Sequence, residues 1–399
     1  MKKGWERKTL GELCGFVRGP FGGSLKKSVF VEDGFAVYEQ QHAIYDQFDD
    51  IRYFIDDAKF KEMQRFELRP NDLIMSCSGT MGRVAIVPDN IRCGIINQAL
   101  LKLTPSKAVE TVFLKYWMDS SDFQDSLKEQ AGGAAIQNVA SVSVLKEIKM
   151  PLPSLPEQQR IVGLLDEAFA GLATAQANAE KNLQNARALF ESHLQSVFIQ
   201  RGPGWKQKTL EEIATTFGRG KSKHRPRNEP KLYGGKYPFI QTGDIRNAAH
   251  FITEYSQTYS EAGLAQSKLW PRGTICITIA ANIAETGILG FDSCFPDSVI
   301  GVVTNPKEAD VGFVEYLLQS FKSRLQAMGK GSAQANINMG TFENERFPFP
   351  SVSEQKLIVA KLDSLREETQ RLESLCQQKL AALAALKKSL LHRAFTGAL

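Results

Sequence analysis

The sequence predicts an α+β protein: two similar globular domains, each followed by a long helix, with the two helices able to mesh along a heptad-like seam. Three observations predict it. A stretch of about 40 residues occurs twice, as PEQQRIVGLLDEAF from Pro156 and as SEQKLIVAKLDSL from Ser353, with Glu157 matching Glu354 and Phe198 matching Phe395 at one offset of 197. Neither copy contains a proline inside it, and Ala, Leu, Glu, Gln and Lys dominate both, which is a helix-forming composition. Upstream of each copy the same order of β-rich runs, turns and one helix recurs, the pattern of a mixed domain with a modest sheet.

The helices come first because the rest is arranged around them. Ser154 with Glu157, and Ser351 with Glu354, fit capping boxes that satisfy the first free N–H groups. A heptad-like seam predicts pairing through Ile161, Leu165, Ala168, Leu172, Ala175, Ala179, Ala186, Leu189 and His193 in one helix. Its counterpart in the other is Ile358, Leu362, Leu365, Leu372, Cys376, Leu383, Leu386 and Leu390. One seam is mostly small and the other mostly large, so the two mesh closely. About 40 helical residues span roughly 60 Å, longer than a small domain needs, and this marks the pair as a spacer.

The globular repeat opens at Gly4-Trp5 with Lys8-Thr9-Leu10 and Glu12, matched by Gly204-Trp205, Lys208-Thr209-Leu210 and Glu212. Arg18-Gly19 matches Arg219-Gly220 at the head of a Gly-rich loop. Short strands are predicted at Ala36 to His42 and at Phe239 to Asp244. Paired strands follow at Leu73–Ser76 and Arg83–Val87 about the turn Ser78 to Gly82; in the second copy they are Thr274–Ile279 and Gly287–Phe291 about Ala280 to Glu285. Helices are expected from Val112 to Lys128 and from Val311 to Met328, then loops Gly132–Asn138 and Gly329–Asn338. Pro-rich junctions, Met150 to Pro156 and Phe347 to Pro350, separate domain from helix. The predicted boundaries are 1–153 and 201–350 for the domains, and 154–200 and 351–399 for the helices.

Composition bounds the function. With 399 residues, 43% hydrophobic and 23% charged, the chain holds two or more sizeable cores. No apolar run approaches the ~20 residues of a membrane span. The opening MKKGWERK has no apolar stretch behind its lysines and is not a secretory signal. Six cysteines without a C-x-x-C pair argue against a zinc site or a disulfide framework, so a reduced, cytoplasmic setting is expected. The net charge of +5 permits a polyanionic partner without demanding one.

Catalytic patterns are missing: no H-E-x-x-H, G-x-S-x-G or C-x-x-C occurs, the five histidines are dispersed, and no metal site or catalytic residue is assigned. Thr215 to Ser222 ends like a phosphate-binding loop at Gly220-Lys221-Ser222, but it lacks the first glycine and a clear leading strand. The loops look built for binding. Between Arg219 and Lys236 stand seven cations and one acid, Glu229, a composition that neutralises phosphates. Glutamine and asparagine amides suit adenine in the major groove, while Arg and Lys suit guanine. The candidate DNA contacts of the first copy are Arg18, Lys26, Lys27, Gln40, Gln41, His42, Thr80, Arg83, Gln137 and Asn138. Those of the second are Arg219, Lys221, Lys223, Arg225, Gln241, Thr242, Asn282, Asn336 and Asn338. Asp46, Asp49, Asp50, Asp56 and Asp57 make one stretch acidic, and it is expected to face away from DNA.

The whole chain resembles the specificity subunit of Type I restriction–modification systems. The resemblance is carried by Pro151 to Val162 (PLPSLPEQQRIV), its echo Pro348 to Val359 (PFPSVSEQKLIV), the two Trp-led openings, and Ser78 to Ile86 (SGTMGRVAI). The second copy departs from the S-G-T-x-G turn. The resemblance implies that each globular unit is a target-recognition domain reading one half of a split asymmetric DNA sequence. It implies that the helices pack as an antiparallel coiled coil of approximate two-fold symmetry and act as a ruler, with half-sites about one helical turn apart. It further implies a non-catalytic subunit that binds no cofactor itself and partners double-stranded DNA and two methyltransferase subunits carrying S-adenosylmethionine. Restriction (motor-nuclease) subunits using ATP and magnesium complete the bacterial or archaeal complex. Two other readings stay open on the residues alone: a self-contained nuclease, and a coiled-coil adaptor that binds no DNA.

Overall fold

The computed structural model describes residues 4–130, 141–223, 226–280, 283–329 and 339–399. Its contacts divide the chain into two units, Met1–Glu180 with Gln377–Leu399, and Lys181–Cys376, so each unit takes a segment of both long helices. Those helices run Leu155–Gln200 and Val352–Thr396. No helix among the described residues is long and apolar enough to cross a membrane.

In the first unit, β2 (Cys14–Arg18), β6 (Leu73–Ser76), β7 (Val84–Ile86) and β9 (Leu100–Pro105) form an antiparallel sheet in the order β2-β9-β6-β7. A second sheet holds β3 (Phe30–Val31), β4 (Phe35–Tyr38), β5 (Phe54–Ile55) and β8 (Gly94–Ile96), with β4 parallel to β8. All four residues of β6 are buried because it lies between two cores. Successive side chains of a strand point to opposite faces. Leu73 and Met75 therefore join the core of Phe113, Trp117 and Phe123, and Ile74 joins that of Tyr38 and Val87.

The second unit repeats the plan with a five-stranded sheet of β12 (Ala214–Arg219), β20 (Val299–Thr304), β17 (Ile275–Thr278), β18 (Thr286–Leu289) and β14 (Phe251–Ile252). Beside it stand β15 (Gln257–Tyr259), β13 (Tyr233–Phe239), β19 (Ser293–Cys294) and β16 (Leu269–Trp270). Here β17 is the two-faced strand: Ile275 and Ile277 face the core of Phe313 and Leu317, and Cys276 faces that of Trp270 and Phe295.

The repeated motifs prove to be joints. In Lys-Thr-Leu-x-Glu the threonine and glutamate close on each other: Thr9 N–H donates to Glu12 at 2.7 Å and Glu12 N–H to Thr9 Oγ1 at 3.3 Å, and Thr209 with Glu212 does the same at 2.7 and 3.2 Å. The segment after each tryptophan pairs with the Pro-rich junction, β1 (Glu6–Thr9) with β10 (Lys149–Leu152) and β11 (Lys206–Lys208) with β21 (Phe347–Phe349). These are two-stranded ribbons, where proline is tolerated.

The glutamine of each E-Q pair is a buried clamp. Gln158 donates to Pro153 O at 2.9 Å and Ala108 O at 3.2 Å, and accepts Glu110 N–H at 2.8 Å. Gln355 donates to Pro350 O at 3.0 Å and Glu308 O at 3.4 Å, and accepts Asp310 N–H at 2.8 Å. Both side chains are fully buried, and each ties a helix start to its domain. At the second helix start Ser351 Oγ accepts Glu354 N–H at 3.3 Å, while the Glu354 carboxylate takes the Trp205 indole N–H at 3.0 Å.

Within each unit the two helix segments run antiparallel. In the first, Ile161 and Leu165 share a core with Leu391, Ala394 and Phe395, and Lys387 Nζ lies 5.0 Å from the Phe169 ring centre. In the second, Leu194 and Phe198 share a core with Leu362, Arg366 Cζ lies 4.7 Å from the Phe190 ring centre, and Arg187 pairs with Glu373 at 2.8 Å. Ala179 and Ala186 are buried; Ala168, Leu172, Ala175, Ile358, Leu365, Cys376, Leu383 and Leu390 are half-buried.

The heptad reading fails at four places. Leu372, Leu386 and Leu189 are 42%, 47% and 51% exposed, and His193 is exposed too. A straight helix drifts ~20° per heptad against a strict 3.5-residue repeat. The buried line of the first helix accordingly shifts one residue on, to Phe190, Leu194 and Phe198, and Thr369 is buried in the second.

Other elements differ from expectation. The strand from Ala36 ends at Tyr38, and Gln40–Tyr45 is a short helix; likewise Thr242–Asn247 is helical after β13. The helix expected over Val112–Lys128 is two, Thr111–Asp119 and Ser121–Gln130, broken at the extended Ser120. Its counterpart Val311–Gly329 is continuous. The loops 132–138 and 330–338 lie outside the described residues.

Four cysteines are buried and Cys93 is exposed. Burial pushes the thiol of Cys14 up to about 12 and that of Cys77 up to about 11, and raises that of Cys276. Above pH 9.0 an unfolded chain sheds these protons while the folded chain keeps them. Stability from them is therefore complete below pH 9.0 and is lost as pH rises toward 11 and 12. Thiol titration of the native chain at pH 8 is expected to label Cys93 rapidly and the buried thiols only on unfolding. Rapid labelling of Cys14 or Cys77 would contradict this packing.

Candidate nucleic-acid interface

Three loops of the first unit converge. Gly19 sits under the chain at Asn97, where a Cβ would fall 1.8 Å from Asn97 O, and Gly19 N–H bonds Leu100 O at 2.9 Å. Asn97 N–H bonds Tyr38 O at 2.9 Å, so the Arg18 loop and the helix opening at Gln40 flank one segment. The third loop is the Ser78–Gly82 turn, nucleated by Ser76. Its hydroxyl donates to Thr80 O at 2.6 Å and accepts Arg83 N–H at 3.0 Å. Gly82 has φ 72° and lies against Leu127, which explains the glycine there. Ser78 Oγ donates to Gln40 Oε1 at 3.0 Å, and Arg18 reaches the Cys77 thiol at the base of the turn.

Of the predicted contacts in this unit, Arg18, Lys26, Lys27, Thr80 and Arg83 are exposed, and Gln40 and Gln41 are half-buried. Lys26 and Lys27 make no ion pair with a described residue. His42 does not belong with them. It is 1% exposed; its Nδ1 accepts Glu39 N–H at 2.8 Å and its Nε2 lies 3.1 Å from Asp50 O, so it caps the helix from inside. One residue of the acidic stretch, Asp50, lies beside Gln41. Gln41 donates to Asp50 O at 3.1 Å and accepts from Arg52 at 3.0 Å, so this stretch positions the glutamine. Gln137 and Asn138 lie outside the described residues.

The second unit builds the same seat. Gly220 packs on Phe295 and Pro296, a Cβ there falling 2.2 Å from Phe295 O, and Ile240 N–H bonds Cys294 O at 2.8 Å. The Arg219 loop and the helix opening at Gln241 thus flank Cys294 to Pro296. Arg219 is held by Asp297 O at 2.6 Å and Arg227 by the Asp297 carboxylate at 2.8 Å. Gln241 donates to Gln257 Oε1 at 2.7 Å; Thr242 is half-buried at the helix start. Lys221 and Lys223 are exposed and make no ion pair with a described residue. Arg225, Asn282, Asn336 and Asn338 lie outside the described residues.

Sequence reasoning missed Lys268. It lies 3.6 Å from the Trp270 ring centre, and burial and then the charge of Lys221 hold its ammonium below the ordinary lysine value. Ser267 Oγ donates to Lys221 O at 2.8 Å and so sets the two lysines on adjoining segments. Nothing local in the sequence pairs Lys268 with Lys221. The Gly220-Lys221-Ser222 segment follows strand β12, and the next helical turn among the described residues is the short 3₁₀ turn Pro230–Leu232, so no helix N-terminus backs it as a phosphate-binding loop needs.

A basic seat carrying half-buried amides is thus present once in each of two domains joined to long helices. The model of the Type I restriction modification DNA specificity domain matches this chain twice, over residues 2–182 and 203–381. The chain belongs to that family and is a specificity subunit of a type I restriction–modification system with two target-recognition domains. It is similar to a putative type I restriction enzyme MjaX specificity subunit of Methanocaldococcus jannaschii, 23% identical over 86% of this chain and 82% of the relative. The MjaVIII specificity subunit of the same organism is 22% identical over 98% of this chain and 92% of its own length. The fold matches a chain from a solved structure of a type I R-M system with TM-score 0.81 and 19% identity, over 99% of this chain and 98% of that one. It also matches the HsdS subunit from Thermoanaerobacter tengcongensis with TM-score 0.64 and 19% identity, over 100% and 98% of the two chains.

Proposed function

We propose that each globular unit reads one half of a bipartite, asymmetric DNA target, and that the long helices dock two methyltransferase subunits and set the gap between the half-sites. One observation carries this reading: the same backbone seat occurs in both units, while the side chains on it differ. In the first unit Gln40 bonds the Ser-Gly-Thr turn, and Lys26 and Lys27 follow on the Arg18 loop; in the second Lys221 and Lys223 stand on a loop anchored by Asp297, and Ser267, next to Lys268, bonds Lys221 O. Equal seats with unequal side chains suit two half-sites of different sequence. Leu189, Ile199, Leu357, Leu375 and Leu386, all exposed along the helices, support docking of partner subunits there. In this reading the chain is not itself an enzyme. S-adenosylmethionine belongs to the methyltransferase subunits, and ATP with magnesium to restriction subunits.

Mapping methylated adenines in the host genome with and without the gene tests the reading. Loss of methylation at one gapped, asymmetric motif is expected, and exchange of residues 1–150 should alter one half of that motif only. Retained methylation at every motif would overturn it. Within the assembled complex, Lys221→Ala with Lys223→Ala is expected to weaken binding to all duplexes alike and to reduce the log–log salt slope by about 2. An unchanged slope would remove these lysines from the interface.

A further inference from the structure

We infer that Phe21 is a wedge that enters one base step of the half-site addressed by the first unit. The inference rests on the DNA reading above and deepens it. Phe21 is 93% exposed, the most exposed large apolar side chain among the described residues. Leaving so large an apolar ring in water is unfavourable, so an uncovered one is conspicuous. The loop that carries it is tied down on both sides. Gly19 is wedged beneath Asn97, Pro20 and Leu25 are buried, and Ser24 N–H bonds Phe21 O at 2.8 Å. The chain therefore holds the ring outward from fixed ends rather than leaving it on a loose tail.

Its surroundings select the occupant. Arg18, Lys26 and Lys27 are exposed on the same loop, and no acidic residue occurs between Arg18 and Val31. Arg18 also reaches the base of the Ser78–Gly82 turn, so the loop borders the seat that bears Gln40. An apolar ring among exposed cations, beside the seat that bears Gln40, fits a polyanion that hides stacked apolar faces, which is duplex DNA. Side chains of this kind part a base step, partly unstack it and bend the duplex. The cost is least at pyrimidine–purine steps, so such a step is expected where Phe21 enters, selected by deformability rather than by a hydrogen bond. The second unit has no ring at the matching position: aligning Arg18-Gly19 with Arg219-Gly220 puts Ser222, which is buried, in the place of Phe21.

The test uses the full chain assembled with its methyltransferase subunits. Duplexes carry 2-aminopurine at successive positions of the half-site found by methylation mapping, leaving out the adenine that is methylated. The wild-type complex is expected to raise the fluorescence at one step. Phe21→Leu, which keeps an apolar wedge, should retain the rise. Phe21→Ala should abolish it and weaken cognate binding about tenfold with the salt slope unchanged. Three results would overturn the wedge: salt-dependent wild-type binding with no step brightened, a rise that survives in Phe21→Ala, or loss of methyltransferase assembly by Phe21→Ala without DNA, which would assign the ring to a protein contact. Absence of salt-dependent DNA binding by the wild-type complex would instead overturn the DNA reading itself.

Discussion

A Gln355→Leu chain is expected to lose about 3–6 kcal/mol of unfolding free energy, seen as a lower urea midpoint. The side chain is fully buried and serves three backbone groups: the carbonyls of Pro350 and Glu308 and the N–H of Asp310. Leucine fills a similar volume but leaves all three without a partner. Each buried orphan costs about 1–3 kcal/mol, and replacing one partner is far worse than replacing both. The same substitution at Gln158 should cost a similar amount, because it holds Pro153, Ala108 and Glu110 in the same way. Gln195→Leu is the control. Its amide makes one bond, to Ser320 O at 2.7 Å, and about 0.5–1.5 kcal/mol is expected. Equal midpoints for the Gln355 and Gln195 variants would show that the clamp is not what fastens helix to domain.

Glu315→Leu is expected to cost about 3–5 kcal/mol. Glu315 is fully buried and accepts from His250 Nδ1 at 2.6 Å, Thr286 Oγ1 at 2.8 Å and Gln319 Nε2 at 2.5 Å. His250 stacks on Tyr316 with ring centres 4.6 Å apart, and Arg366 of the second long helix lies 4.8 Å from the same Tyr316 ring centre and bonds Gln319. Removing the carboxylate strands three donors and loosens the packing of sheet, helix and long helix in this unit. The matching residue of the first unit is Lys115, which faces Asp46 and Asp119 nearer the surface. Lys115→Leu should cost less than Glu315→Leu, because Lys115 is half-buried and its carboxylate partners reach solvent. Thermal unfolding of the two variants side by side checks the difference, and equal losses would contradict it.

What was legible in the sequence is what repetition and periodicity carry. The duplication, both long helices, the β6–β7 and β17–β18 pairs and the helix Val311–Gly329 follow from pattern alone, whereas the break at Ser120 in the first copy does not. The seam was legible near Ile161, Leu165 and Leu362 and lost further along, because a 3.5-residue template outruns a 3.6-residue helix. The E-Q pairs read as helix starts, not as clamps, since Ala108 and Glu110 lie 50 and 48 residues before Gln158. Lys268 and Lys221 are brought together only by the fold, as are Gln41 and the acidic Asp50. His42 looked like its neighbours in sequence, yet the short helix turns it inward.

The ring-and-cation contacts of the long helices carry a further consequence. By the 197-residue offset Phe169 corresponds to Arg366 and Phe190 to Lys387, so the first helix supplies the ring in both units and the second supplies the cation in both. The two helices are thus complementary sexes descended from one ancestor. A gene conversion that overwrote the first helix with the second would set Arg366 and Lys387 types against each other at both contacts. Exchanges that cut before residue 155 or residue 352 leave the complement intact. Inheritance can therefore shuffle the reading heads of this chain freely, while the helices record which half is which.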